Sequence, residues 1–137
     1  MTDKRCFVFM LIVAMSLFVF AQSDKDRERF DYVVGRMKLD KTTRQKLKPV
    51  FFAYRKDLKT AKDVYNNVKD KYATPIKKMT LNVAQARELN NARRNADKKV
   101  LDVKSKYEQN FLSILSPQQV CYLFMFANDS KEKRAGR

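Results

Sequence analysis

The chain has no histidine and no tryptophan, and its 137 residues include only two glycines, three prolines and two cysteines. Without histidine there is no Ser-His-Asp triad, no Cys-His pair and no imidazole metal ligand. Two glycines cannot build a P-loop or a dinucleotide fingerprint. Acidic residues are also short: 15 Asp+Glu stand against 30 Lys+Arg, a formal charge of +15. The densest acidic cluster, Asp24, Asp26, Glu28 and Asp31, is interleaved with Lys25, Arg27 and Arg29. That pattern makes a solvated helix face rather than a metal site. No pair of carboxylates is flanked by apolar residues, as general acid-base work would need. The expectation is a protein that is not an enzyme, with no cofactor and no metal. A chain of this length holds at most one small domain. Scarce Gly and Pro, with many Lys, Arg, Leu, Ala and Gln, favour long helices over sheets.

The longest uncharged stretch is Cys6–Phe20, CFVFMLIVAMSLFVF. It follows the basic start Lys4-Arg5 and precedes Ala21 and the polar run Gln22-Ser23-Asp24. Val19 and Ala21 then occupy the −3 and −1 positions of a signal-peptidase site. The competing reading is a membrane anchor, but fifteen residues make about 22 Å of helix, short of the roughly 30 Å hydrocarbon core. The reading adopted is residues 1–21 as a signal peptide cleaved after Ala21, export to the periplasm, and residues 22–137 as a single helical domain. Position 22 is Gln, so no lipoprotein cysteine follows the cut. The mature chain keeps one cysteine, Cys121, expected to be a small buried hydrophobe, with a cross-link across a dimer as the alternative.

The rest reads as amphipathic helices. Phe30, Val33, Val34 and Met37 share one face of a short first helix, and Asp40 can cap the next. Over Lys41–Tyr72, Leu47, Phe51, Tyr54, Leu58, Ala61, Tyr65, Val68 and Tyr72 repeat at 4-3-4-3-4-3-4, an unbroken heptad seam about 48 Å long. Pro49 predicts a kink in this helix, or a start nearer Lys48. Thr74-Pro75 ends it, and Ile76–Thr80 is a linker or single turn. Asn82 can cap a second long helix over Val83–Leu115, with Ala86, Leu89, Ala96, Val100, Val103, Tyr107, Phe111 and Ile114 on its apolar face. Arg93 takes the step between Leu89 and Ala96 and must snorkel or mark a thinner seam. Asn90–Lys99 is polar enough to face water. Ser116-Pro117 starts a last helix, whose uncharged run Val120–Ala127 should dock on the others or at a dimer contact. The tail Asn128–Arg137 is charged and expected to fray.

Between Lys38 and Lys78 there are thirteen Lys+Arg and four Asp+Glu. Arg55, Lys56, Lys59, Lys62 and Lys69 are the core of this basic face. It would attract anionic partners broadly and speed encounter. Nothing in the spacing matches a base-reading module, and an exported protein meets little nucleic acid. Unfolded acidic chains fit better, with weak contact to an anionic membrane surface. The plain alternative is a solvated face that keeps the protein soluble.

Leu115-Ser116-Pro117-Gln118-Gln119 resembles the L-[TS]-x-x-Q signature of the Spy/CpxP-like envelope proteins. Tyr107-x-x-x-Phe111-x-x-x-Leu115 and a basic all-helical chain behind a signal peptide extend the likeness. Leu81-Asn82-Val83-Ala84-Gln85 is a second near-copy, and Leu39–Gln45 a more degenerate one. The pattern is that of a remote, Bacteroidetes-type member. The resemblance implies long helical hairpins in a cradle-shaped antiparallel dimer, acting without ATP as a periplasmic chaperone or envelope-stress modulator. The family's metal-binding branch relies on His or acidic residues, and this chain has no His. The motif is physically sensible in itself: Leu115 packs, Ser116 caps, and Gln119 reaches back to the cap backbone. The resulting expectation is an elongated all-α bundle of about four helices, two of them long, forming a homodimer whose partners are unfolded or partly folded proteins. Leu47, Phe51, Tyr54, Leu58, Tyr65 and Val68 are its helix-packing residues. The alternative is a regulatory or structural coiled-coil adaptor with one fixed protein partner.

Overall fold

The computed structural model describes residues 24–127. The segment read from the sequence as a signal peptide and the charged tail lie outside the described residues. Five helices follow one another: α1 (Asp24–Met37), α2 (Lys41–Lys71), α3 (Ala73–Lys77), α4 (Val83–Leu112) and α5 (Pro117–Phe126). No strand occurs among the described residues, and no helix among them is long and apolar enough to cross a membrane. The fold is all-α, with two long helices and one more short helix than the sequence suggested.

Each long helix begins where a side chain can satisfy its first amides. The Thr43 N–H donates to Asp40 Oδ1 at 2.9 Å, starting α2 two turns before Pro49. The helix then runs unbroken through Pro49 for 31 residues, so a start at Lys48 is excluded. A proline inside a helix costs about 3 kcal/mol or more. Leu47 and Phe51, on either side of it, are completely buried, and burying two such side chains stabilises by roughly 1.5–3 kcal/mol each. Packing outweighs the proline. Pro49 and Gln45 are both exposed, so the carbonyl that loses its donor reaches water.

At α4 and α5 complete capping boxes form. Gln85 N–H donates to Asn82 Oδ1 at 2.8 Å and Asn82 N–H to Gln85 Oε1 at 3.1 Å. Gln119 N–H donates to Ser116 Oγ at 3.2 Å and Ser116 N–H to Gln119 Oε1 at 3.0 Å. Each box satisfies two amides that no helical carbonyl can reach. α1 and α3 end without glycine. Lys38 (φ 52°) and Met79 (φ 58°) take the left-handed position after each helix. The next amide closes the turn in both cases: Leu39 N–H on Val34 O at 3.5 Å, and Thr80 N–H on Pro75 O at 2.9 Å.

The chain divides into two compact units, with α2 contributing to both. Among the described residues, one comprises residues 24–52 together with 114–127. Its core is an aromatic cluster: Phe30, Phe51 and Phe52 lie with ring centroids 5.4–5.9 Å apart. Val33, Val34, Leu47, Leu115, Val120, Leu123 and Ala127 are buried with them. α1 packs on α5, and Arg36 Nε donates to the Tyr122 hydroxyl at 3.3 Å. The uncharged run of α5 is only half committed to packing. Val120, Leu123 and Ala127 are buried, but Cys121 is exposed and Met125 is 69% exposed. Cys121 is therefore not the buried hydrophobe expected of it: the α5 face that packs runs through Val120, Leu123 and Ala127, and Cys121 falls off it.

The second unit, Ala53–Ser113, is an antiparallel hairpin of the rest of α2 with α4, joined through α3. Tyr54 meets Tyr107 and Phe111 at 5.5 and 5.4 Å between ring centroids. The Tyr107 hydroxyl donates to Asp57 Oδ2 at 2.7 Å. At the other end Lys71 and the Tyr72 hydroxyl both donate to Glu88. The seam on α4 runs through Leu89, Ala92, Ala96, Tyr107 and Phe111. Ala92, not Arg93, takes the step between Leu89 and Ala96, and Arg93 is exposed. α4 stops at Leu112, three residues short of expectation, because Ser113 and Ile114 make the turn into the Ser116 cap.

Candidate functional site

On α2 the heptad seam is closed at one end and open at the other. Leu47, Phe51, Tyr54, Leu58 and Ala61 are between 0 and 5% exposed, whereas Tyr65 and Val68 are half-exposed. Of the six residues expected to pack, Leu47, Phe51, Tyr54 and Leu58 are buried, and Tyr65 and Val68 are only partly covered. The single chain covers Leu47–Ala61 and leaves the seam partly open from Tyr65 onward. The antiparallel register places Ala92 and Ala96 across from the open stretch, in the polar run Asn90–Lys99. Two alanines give little surface against which to bury Tyr65 and Val68.

The basic face borders this opening. Arg55, Lys59, Lys62 and Lys69 are spaced by four, three and seven, which puts them on one row at the helical period. Lys56 falls beside that row, three residues from Lys59. Arg55 is half-buried and Lys56, Lys59, Lys62 and Lys69 are exposed. Lys69 Nζ lies 5.9 Å above the Tyr65 ring and Lys71 Nζ 5.0 Å above the Tyr72 ring, within reach of a cation-π contact. The opposite flank of α2 is different in kind. Asp57 there accepts from Tyr107 and stands 4.0 Å from Lys106 Nζ. Burial first, then the bond to Asp57, raises the Tyr107 phenol well above its ordinary value near 10. Asp57 thus belongs to the packing of the hairpin, and on the other flank the exposed Lys69 stands over the half-exposed Tyr65 ring.

The signature residues are placed as a structural device. Leu115 is 5% exposed, and Ser116 and Gln119 form the α5 capping box. A second basic feature, whose residues the Lys38–Lys78 surplus counts without singling out, lies in the first unit. Lys41, Arg44 and Lys48 line an open concavity of about 620 Å³ together with Phe30, Asp31, Leu39 and Gln45. Their spacing of three and four was the available signal. Among the described residues no group of three or more Cys, Asp or Glu side chains is arranged to hold a metal ion. No protein-family model, no curated protein and no solved structure matches the chain.

Proposed function

We propose that the protein is an ATP-independent holdase that binds unfolded or aggregation-prone proteins after export to the periplasm. The observation that carries this reading is the half-exposed Tyr65 on the α2 seam, with the exposed Lys69 ammonium 5.9 Å above its ring. Such a surface offers charge for encounter and apolar area for capture, with no geometry that selects one fixed shape. The likeness of Leu115–Gln119 to the Spy/CpxP-like signature supports the same function. In this reading two chains pair as an antiparallel cradle, with Tyr65 and Lys69 on the client-facing side.

The deciding experiment is aggregation suppression of two unrelated clients, one acidic and one basic, at near-stoichiometric ratios without nucleotide. Both should be held in solution. Reversal of Arg55, Lys56, Lys59 and Lys62 to Glu should slow capture of the acidic client and speed that of the basic one. A protein that suppresses neither client is not a holdase, and the adaptor reading then stands. The export part is tested by intact mass: protein from the cell envelope should begin at Gln22, and a species retaining residues 1–21 overturns the cleavage.

A further inference from the structure

The connection between α2 and α4 holds the most conspicuous apolar surface described. Met79 is 90% exposed, Val83 69% and Ile76 37%. Met79 is also held at φ 58°, a left-handed backbone that glycine adopts freely and a methionine does not. A bulky apolar side chain thus stands in water at a position where the backbone would favour having none. Outliers of this kind cluster at functional contacts.

The charge around it has one sign. Lys71 to Arg87 is a run of 17 residues with no Asp or Glu and four cations, Lys71, Lys77, Lys78 and Arg87. The first carboxylate after it, Glu88, is engaged by Lys71 and Tyr72. A specific protein interface takes about 20–30 residues a side, more than this connection supplies. A bilayer needs far less: a few inserted apolar side chains, with cations at headgroup level adding to one another.

We propose that this end of the hairpin docks on anionic lipid bilayers. Met79, Ile76 and Val83 enter the interfacial region, and Lys77, Lys78 and Arg87 lie among the headgroups. The surface is separate from the basic row of α2, and its test contains no protein client.

The chain has no tryptophan, so Met79→Trp makes the tip its own reporter. The full chain carrying Met79→Trp is mixed with vesicles of phosphatidylcholine alone or with phosphatidylglycerol, with and without brominated acyl chains. Leu101→Trp, at a 63% exposed site in the middle of α4, is the comparison. The apolar run Cys6–Phe20 would itself attach an uncleaved chain to bilayers, so depth at each site is read rather than attachment. With anionic vesicles the Met79→Trp emission should shift to the blue and be quenched by bromine, while Leu101→Trp stays unmoved. Adding Lys77→Glu and Lys78→Glu should weaken the Met79→Trp response by about tenfold or more. Met79→Gly should raise the melting temperature while lowering vesicle insertion, measured by bromolipid quenching of Val83→Trp in the same chain. Three results would each overturn the proposal. They are a Met79→Trp emission unchanged by anionic vesicles, an equal response from Leu101→Trp, and a blue shift that appears without vesicles as protein concentration rises. The last would assign the tip to a second copy of the chain.

Discussion

Gly35 and Lys38 stand three residues apart in each other's natural places. Gly35 is exposed in the interior of α1, and a Cβ added there meets nothing within 4 Å. Gly35→Ala should therefore stabilise by about 0.5–1 kcal/mol. Lys38 carries the left-handed turn after α1, and Lys38→Gly should raise the melting temperature, because relief of that backbone exceeds the added freedom of the unfolded chain. Both are checked by thermal melting followed by circular dichroism. Leu58, 2% exposed, is the opposite case: Leu58→Ala should cost roughly 2–5 kcal/mol. A cost below about 0.5 kcal/mol, the range of surface changes, would show that the closed part of the seam is not core. Residue identity predicted such positions unevenly. Leu58 was legible because its spacing of four from Tyr54 and three from Ala61 fits the helix period. Cys121 was not, since eight uncharged residues in a row give no sign of which face packs. Ala92 was overlooked beside Arg93 because an alanine weighs little in an apolar pattern.

Helix starts were the most legible elements, because a cap is a local event among four residues. Asp40, Asn82 and Ser116 each accept from the amide three residues on. Asn82→Ala and Ser116→Ala should each cost about 0.5–2 kcal/mol, and amide exchange should accelerate at Gln85 and Gln119 respectively. Equal exchange in variant and parent would remove the boxes as a stabilising device. Helix ends and interruptions were harder. α2 passes Pro49 because the buried pair Leu47 and Phe51 is a tertiary fact that local preference does not contain. α3 forms although Thr74 precedes a proline. Pro75 is in the first turn of that helix, where its missing N–H would have had no partner. The period of the seam gave its row but not its length. Where the cover over Tyr65 and Val68 ends depends on α4, whose contribution there is alanine. The basic row of the candidate site could be read from spacing alone, but its position beside half-exposed aromatics could not.

For the whole molecule, charge sets the response to solution conditions. At +15 the folded chain repels itself, so the melting temperature should rise as salt shortens the Debye length from about 30 Å at 0.01 M to about 8 Å at 0.15 M. A flat or falling response would mean that local ion pairs such as Arg29–Asp26, at 3.0 Å, matter more than the summed field. The pH profile should be a plateau with two shoulders. The Thr43 side chain and amide hold the Asp40 carboxyl below its usual 3.8, and the Tyr72 hydroxyl, ahead of Lys71, holds Glu88 below 4.5. Their contributions are present above those ordinary values and are lost as pH falls through the lowered ones. On the alkaline side the bond with Tyr72, then the charge of Glu88, raises Lys71 above 10.5, so its contribution is present below that value and is lost as pH rises through the raised one. Equilibrium denaturation across pH 2–11, roughly the span of these ordinary values, measures both shoulders. The hairpin also carries an optical clock. Burial lifts the Tyr54 and Tyr107 phenols above the usual 10, so opening of the hairpin should let both rings become tyrosinate at a lower pH than the folded chain allows. After a jump to high pH, a slow rise in tyrosinate absorbance that Tyr54→Phe and Tyr107→Phe remove should follow the rate of opening. A chain with no indole thereby reports the lifetime of its own α2–α4 contact in ultraviolet light, without a label.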